Sequence, residues 1–391
     1  MKTTSWAMIF IAIPVIAITV IAIGPTSNAQ DTVLIQAASV HLGNGDVLSP
    51  AQVLVRDGKI ERIAEKVAVK NAQVIKVQHL IPGLIDAAAR TGISQLDKER
   101  TKEITPELST AAIVDWTDRR FTEHLSSGTT TLHLIPGTDN VVSGLASIAK
   151  TSGPPEGRMV SNQTGLTISM CSDPASGNRA RSRPDSIYIR QPTNRMGVVW
   201  MLRATFHASQ AGKNKSTSIK AALAGDLPVF SVSRTQYDIQ ALLTLADEFS
   251  FAPIVIGGQE AWQVTAELAE RKIPVILQPT TPGSSKGTEG TRISAAMAAK
   301  LNKAGVPFCL SGGDLLNQAR FAVRYGLPKA DALKAITASP ASILKINDQV
   351  GAIATGKDAD FVALNGDPLE FTTAIQWVMV NGQIQFEQVG N

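Results

Sequence analysis

The chain has 391 residues, 44% of them hydrophobic and 18% charged, with a formal net charge of +4. That composition supports a large packed core and excludes a disordered or collagen-like polymer. The sequence pI of about 9.0 is mild. The basic residues form no long run or stripe, so nucleic acid is not an expected partner.

The chain opens with Lys2, an apolar run MIFIAIPVIAITVIAIG, and then PTSNAQ. A charged start, an apolar middle and small residues at Ser27 and Ala29 predict a secretory signal over residues 1–29. The mature protein is then exported, periplasmic or secreted. The run is also nearly long enough to span a bilayer, so an N-terminal membrane anchor is the alternative. Next comes a β-rich flank. VLVRDGKIERI reads as a hairpin around Asp57-Gly58, and Asn381-Gly382 marks a second hairpin near the other end.

Between the flanks the texture changes. Short apolar runs (TTLHLI, APIVIG, IPVILQ, VPFCLS) alternate with amphipathic stretches such as DIQALLTLADEF and ISAAMAAKLNKAG. That alternation predicts parallel βα units. The expected fold class is α/β. A (β/α)8-type TIM barrel over 81–344 stands beside a small composite β-sandwich domain of residues 30–80 and 345–391. SGNRARSRPDS, with Arg179, Arg181 and Arg183, reads as an exposed loop. Cys171 and Cys309 are the only cysteines, and no CxxC motif exists. Two unpaired cysteines are expected, with a single bridge as the alternative.

KVQHLIPGLIDAAAR resembles the first barrel strand of the amidohydrolase superfamily, and VGAIATGKDADFVALNGDP resembles its return to the β-domain. Within that superfamily the chain is most similar to the imidazolonepropionase-like amidohydrolases. The resemblance spans nearly the whole mature chain. It implies metal-dependent hydrolysis of C–N bonds other than peptide bonds. In the family PGLID is followed by x-His-x-His, whose two imidazoles converge on one ion because alternate strand residues point the same way.

This sequence departs from that pattern. The two histidine positions are Ala88 and Arg90. Ala88 has no ligand atom, and Arg90 stays protonated with no lone pair to give. A third family histidine falls on Val232, and a fourth on the Gly257-Gly258 stretch. The last family ligand, an aspartate, falls on Gly312, with Asp314 two residues later. Asp314 is therefore a weak catalytic candidate. Ala88, Arg90 and Val232 read as vestigial ligand positions, so no metal is expected. Arg90 is a candidate ligand-binding residue: its guanidinium neutralises a remaining acid such as Asp314, or holds an anion. Asp86 is expected to support the strand end, and Gly83 to give backbone clearance. Pro192, Arg195 and Gly197 in QPTNRMG look like a rim or interface element.

The five histidines, His41, His79, His124, His133 and His207, form no ligand spacing. A structural role is favoured for each, and His133 on its strand is the one to watch. Lys150 is not placed like the carboxylated lysine of some relatives. No GxSxG elbow or Cys/His arrangement supplies another nucleophile.

Two functions follow. The first is an exported amidohydrolase-family protein that has lost metal-dependent activity and acts as a ligand-binding or partner subunit. Its partners would be a small molecule, another copy of itself, or an intact amidohydrolase relative. The second is an active hydrolase of cyclic amide, imidazolone-like or peptide-like substrates, using an atypical site with a divalent metal such as Zn.

Overall fold

A computed structural model describes residues 32–94, 97, 99, 101–176, 190–279 and 291–388. The signal or anchor segment and the Arg179, Arg181 and Arg183 cluster lie outside the described residues. Among those described, no helix is long and apolar enough to cross a membrane.

Strands β1 (Val33–His41), β2 (Val47–Leu48), β3 (Ala51–Arg56), β4 (Lys59–Ala64) and β5 (Gln73–Pro82) come first. The central strands are β6 (Leu84–Ala89), β7 (Thr129–Leu134), β8 (Val142–Lys150) and β9 (Met159–Ser169), then β10 (Val229–Ser233), β11 (Pro253–Gly257), β12 (Val275–Leu277) and β13 (Phe308–Leu310). Last are β14 (Phe361–Leu364), β15 (Ile375–Val380) and β16 (Gln383–Glu387).

The two chain ends share one eight-stranded sheet, in the order β16-β15-β14-β5-β1-β3-β4 with β2 on β1. Both expected hairpins are present. Asp57 and Gly58 have φ of 50° and 75°, and Asn381 and Gly382 have 49° and 78°. Positive φ at both central residues matches the twist of the flanking strands. The two turns also meet, because a Cβ on Gly382 would lie 2.8 Å from Gly58 Cα. The strands form one continuous hydrogen-bonded sheet, where the sequence suggested a sandwich.

The second sheet runs β13-β12-β11-β10-β9-β8-β7-β6. It differs from the expected (β/α)8 barrel in two ways. First, β8 is antiparallel to both β7 and β9. Its connections, residues 135–141 and 151–158, are shorter than a parallel crossover requires. Second, no ladder closes β13 onto β6. The chain at 335–336 bridges the gap instead: Leu310 N donates to Ala335 O at 2.8 Å and Ile85 N to Ile336 O at 3.1 Å. The remaining neighbours, β6–β7 and β9 through β13, pair in parallel as expected.

Strand alternation sorts the core into two layers. Val229, Val255 and Val275 join a cluster with helix residues Leu202, Phe206, Leu242 and Leu301. Their neighbours Phe230, Ile256 and Ile276 belong to a separate cluster with Ile85, Ile148 and Cys309. Helices Arg195–Gln210, Gln236–Phe249, Met297–Ala304 and Leu315–Arg324 cover the first layer. Thr235 and Asp238 close a reciprocal capping box on the second of these.

Lys150, at the end of β8, ties the two sheets together. Its ammonium lies 2.6 Å from Asp360 and 2.9 Å from Asp358, both in the GKDAD motif before β14. Burial pulls the Lys150 pKa down, and the two carboxylates more than offset it, so the net direction is upward. Lys150 is thus a structural cation, a role the sequence reading does not assign to it.

Candidate functional site

Parallel strands of an α/β sheet present their functional residues at their C-terminal ends. Here that edge holds Ala88 and Arg90 on and after β6, Val232 on β10, Gly257 on β11, and Ser311 to Asp314 after β13.

Ala88 and Val232 lie in the same buried apolar cluster, with Ile256, Ile276, Cys171 and Cys309. Both cysteines are buried, and they are not joined in a disulfide. Burial, and then the charge of Asp86, pushes the Cys309 thiol well above its ordinary range, so it is an inert apolar group. Gly257 and Gly258 have φ of 97° and 58°, and Gly258 N donates to Ser233 O at 2.9 Å. They form a tight turn and offer no side-chain donor.

Arg90 is held by an acid, but not by the one suggested from sequence. Its Nη2 lies 2.7 Å from Asp97 Oδ1 and 2.8 Å from Oδ2, and its Nε lies 3.2 Å from Oδ2. Asp97 is 2% exposed, whereas Arg90 is 33% exposed. The pair closes over Gly137, where a Cβ would approach Arg90 Nη2 to 2.9 Å. Asp314 is engaged elsewhere. It caps the helix Leu315–Arg324, accepting from Asn317 N at 3.0 Å and from Asn317 Nδ2 at 2.8 Å.

Asp86 braces the strand end, as expected. Its Oδ1 accepts from Ser311 Oγ at 2.5 Å, Ala88 N at 3.1 Å and Gly312 N at 3.1 Å. This bond set joins β6 to the loop after β13 just beyond the bridged gap. Gly83 has the predicted clearance role, since a Cβ there would lie 2.2 Å from Thr130 Oγ1.

A second arginine pair sits near the first. Arg234, after β10, contacts Asp173 at 2.6 and 2.7 Å. Thr138 Oγ1 donates to the same Asp173 at 2.5 Å. Burial alone would raise the Asp173 pKa, but the Arg234 and Thr138 contacts bring it below the usual carboxylate range. The turn at 136–139 is therefore flanked by Arg90–Asp97 at Gly137 and by Arg234–Asp173 at Thr138. Sequence reading missed Asp97, Asp173 and Arg234. An acid in the loop after the PGLID strand was the only available signal for Asp97.

His133 is fully buried. Ala87 O can only accept, so His133 Nδ1 donates to it at 2.8 Å, and Nε2 accepts from Thr164 Oγ1 at 2.8 Å. Burial pushes its pKa down to about 4 against the Ala87 hydrogen bond and the Asp86 charge. It is a satisfied neutral imidazole. His41 and His79 pair with each other at 3.1 Å, and His207 meets Glu248 at 3.1 Å. His124 lies in the last turn of the helix Arg120–Ser126. In the QPTNRMG element, Asn194 caps the helix Arg195–Gln210 and Arg195 contacts Asp238 at 3.4 Å.

These side chains do not make a donor set for a divalent cation. Ala88, Val232 and the two glycines have no donor, Arg90 is a paired cation, and Asp314 caps a helix. Among the described residues, no group of three or more His, Cys, Asp or Glu is arranged to hold a metal ion.

A cavity of about 400 Å³ lies beside Asp97. Its walls come from Asp97 and Glu99, from residues between Glu107 and Ile113, and from Pro136 and Ser143 near the β7–β8 turn.

Comparison with known proteins agrees with the fold. Residues 285–386 match the amidohydrolase family model. Amidohydrolase tasK of Hapsidospora irregularis is 24% identical over 86% of this chain, which spans only 40% of that longer protein. The crystal structure of an amidohydrolase from Thermotoga maritima MSB8 is 26% identical with a TM-score of 0.80, covering 91% of this chain and 100% of that one. An adenosine deaminase from Xanthomonas campestris, solved with bound zinc, is 16% identical with a TM-score of 0.55, over 91% of this chain and 93% of its own. The C-terminal segment thus matches the amidohydrolase family model, and the fold is similar to that of a solved amidohydrolase.

Proposed function

We propose that this chain is a degenerate member of the family, in the imidazolonepropionase-like branch, which binds a small ligand without metal-dependent hydrolysis. One observation carries the reading: Ala88 and Val232 are built into a continuous apolar cluster, and Arg90 is spent on Asp97. A catalytic zinc normally needs three protein ligands and one open position. Without such an ion, no group in this region lowers the pKa of water towards neutrality.

The experiment is thermal unfolding of the full chain in EDTA, and in excess Zn²⁺ or Mn²⁺. A ligand bound only by the folded state raises the melting temperature. The three curves should superimpose. A rise with Zn²⁺ that EDTA reverses would restore the active-hydrolase reading.

Export is part of the same proposal and rests on the sequence of residues 1–29. Mass spectrometry of the protein from the cell envelope should find an N-terminus at Gln30. Finding only the intact N-terminus would favour the anchor.

A further inference from the structure

We propose that the cavity beside Asp97 is a binding site for a small cationic amphiphile, an amine with a short apolar tail whose ammonium group meets Glu107. The proposal goes beyond the loss of metal chemistry and does not depend on it.

The site is built by an added edge. Residues 104–109 run along β8, with isolated bridges Ile104 to Val142 and Ser109 to Leu145. Thr105 N donates to Val142 O at 2.9 Å and Leu145 N to Leu108 O at 2.7 Å. Thr110 Oγ1 then meets Ser147 Oγ at 2.7 Å inside the fold. These bonds fix one wall of the cavity to the sheet, so the space is preformed. Its volume of about 400 Å³ suits a small molecule.

The walls select the occupant. Leu108, Ala112, Ile113 and Pro136 give an apolar surface, and Leu108 is 51% exposed. An apolar tail laid on Leu108 would remove that surface from water. The charged lining residues are all acids: Asp97, Glu99 and Glu107. Asp97 is neutralised by Arg90, and Glu99 Oε1 accepts from Thr101 N at 2.5 Å and Thr101 Oγ1 at 2.6 Å. Glu107 differs from Asp97. Its hydrogen-bond partners are neutral donors: Ser216 Oγ at 2.6 Å, Ser218 Oγ at 2.6 Å, Ser218 N at 3.2 Å and, more weakly, Thr217 Oγ1 at 3.3 Å. Those bonds hold the carboxylate in place and leave its negative charge uncompensated by them. The hydrogen bonds outweigh burial and bring its pKa down to about 2, so it is ionised at any physiological pH. Among the charged lining residues an anion would meet only acids, and a neutral alcohol could offer Glu107 a hydrogen bond but no opposite charge.

The test uses three probes of one length, hexylamine, 1-hexanol and hexanoate, titrated into the full chain by calorimetry. Hexylamine should bind about threefold to fivefold more tightly than hexanol, the size expected for an exposed ion pair, and hexanoate more weakly still. The preference should shrink as salt rises. Glu107→Gln should bring the amine-to-alcohol ratio to about one, even if it lowers affinity or stability overall. Ala112 is exposed, so Ala112→Trp fills the cavity without entering the core. It should abolish amine binding with an unchanged melting temperature. Equal binding of the three probes, no binding of any, or amine binding that survives Ala112→Trp would each overturn the proposal. A bound metal elsewhere would sink the metal-free reading and leave this result untouched.

Discussion

Arg90 grips Asp97 through both carboxylate oxygens, at 2.7 and 2.8 Å, from a position where the family pattern places a metal-binding histidine. A paired guanidinium fills that place, and its partner is almost wholly buried. Removing one member strands the other. Arg90→Met should therefore destabilise the protein by about 2–3 kcal/mol, since a buried carboxylate loses its counter-charge. Adding Asp97→Leu to that variant should recover most of the loss. Urea unfolding of the single and double variants measures both. An Arg90→Met protein as stable as the parent would mean that the pair does not form.

Lys150 makes the same kind of prediction between the two sheets. It is 3% exposed, and its partners Asp358 and Asp360 are 12% and 4% exposed. Lys150→Met leaves Asp360 without its cation beside Asp358, which keeps Lys59 at 2.6 Å, a loss of about 3 kcal/mol. Denaturant midpoints test it. A shift too small to resolve would show that solvent screens this cluster.

The contrast between these two cations shows what the sequence can reveal. The PGLID and GKDADFV motifs and the two turn pairs, Asp57-Gly58 and Asn381-Gly382, carry local geometry that any fold must respect. They carry the shared terminal sheet, and the alternation of short apolar runs with amphipathic stretches carries the parallel units. The antiparallel direction of β8 follows from the short connections on either side of it. The partner of Arg90 was not readable. Asp97 and Asp314 are both acids in loops at one sheet edge, and only the path of each loop decides between them. The missing donors at Ala88 and Val232 were legible because a residue type either has a lone pair or lacks one. Their burial in one apolar cluster needed the fold.

His133 sets an acid limit on stability. Its folded pKa of about 4 lies below the ordinary value of 6.5. As pH falls through 6.5, the unfolded chain takes up the proton first, so the folded state loses ground. The His133 contribution is complete above 6.5 and is lost as pH falls towards 4. Burial also lowers His41 and His124, which act in the same direction. Glu107 and Asp118, both held at about 2, add their losses only at lower pH. Urea unfolding between neutral and mildly acid pH should show stability falling through this window, less steeply in His133→Phe. An NMR titration that placed His133 at its ordinary pKa would refute the assignment.

Gly83 is a sharper steric test. A Cβ there would lie 2.2 Å from Thr130 Oγ1, within the packed strands β6 and β7. Gly83→Ala should destabilise by about 1–3 kcal/mol through overpacking, and Thr130→Ser or Thr130→Ala should relieve part of it. A fully stable Gly83→Ala protein would show that the strand shifts without strain.

On the function proposed above, the positions of Ala88, Arg90 and Val232 hold no metal ion. Elemental analysis of the purified full chain, after dialysis against metal-free buffer, tests it most directly. Zn, Mn and Fe should each stay well below about one ion per chain, because no three-ligand set is present among the described residues to retain one. One tightly held ion per chain, lost with the fold and not before it, would restore the metal-dependent hydrolase.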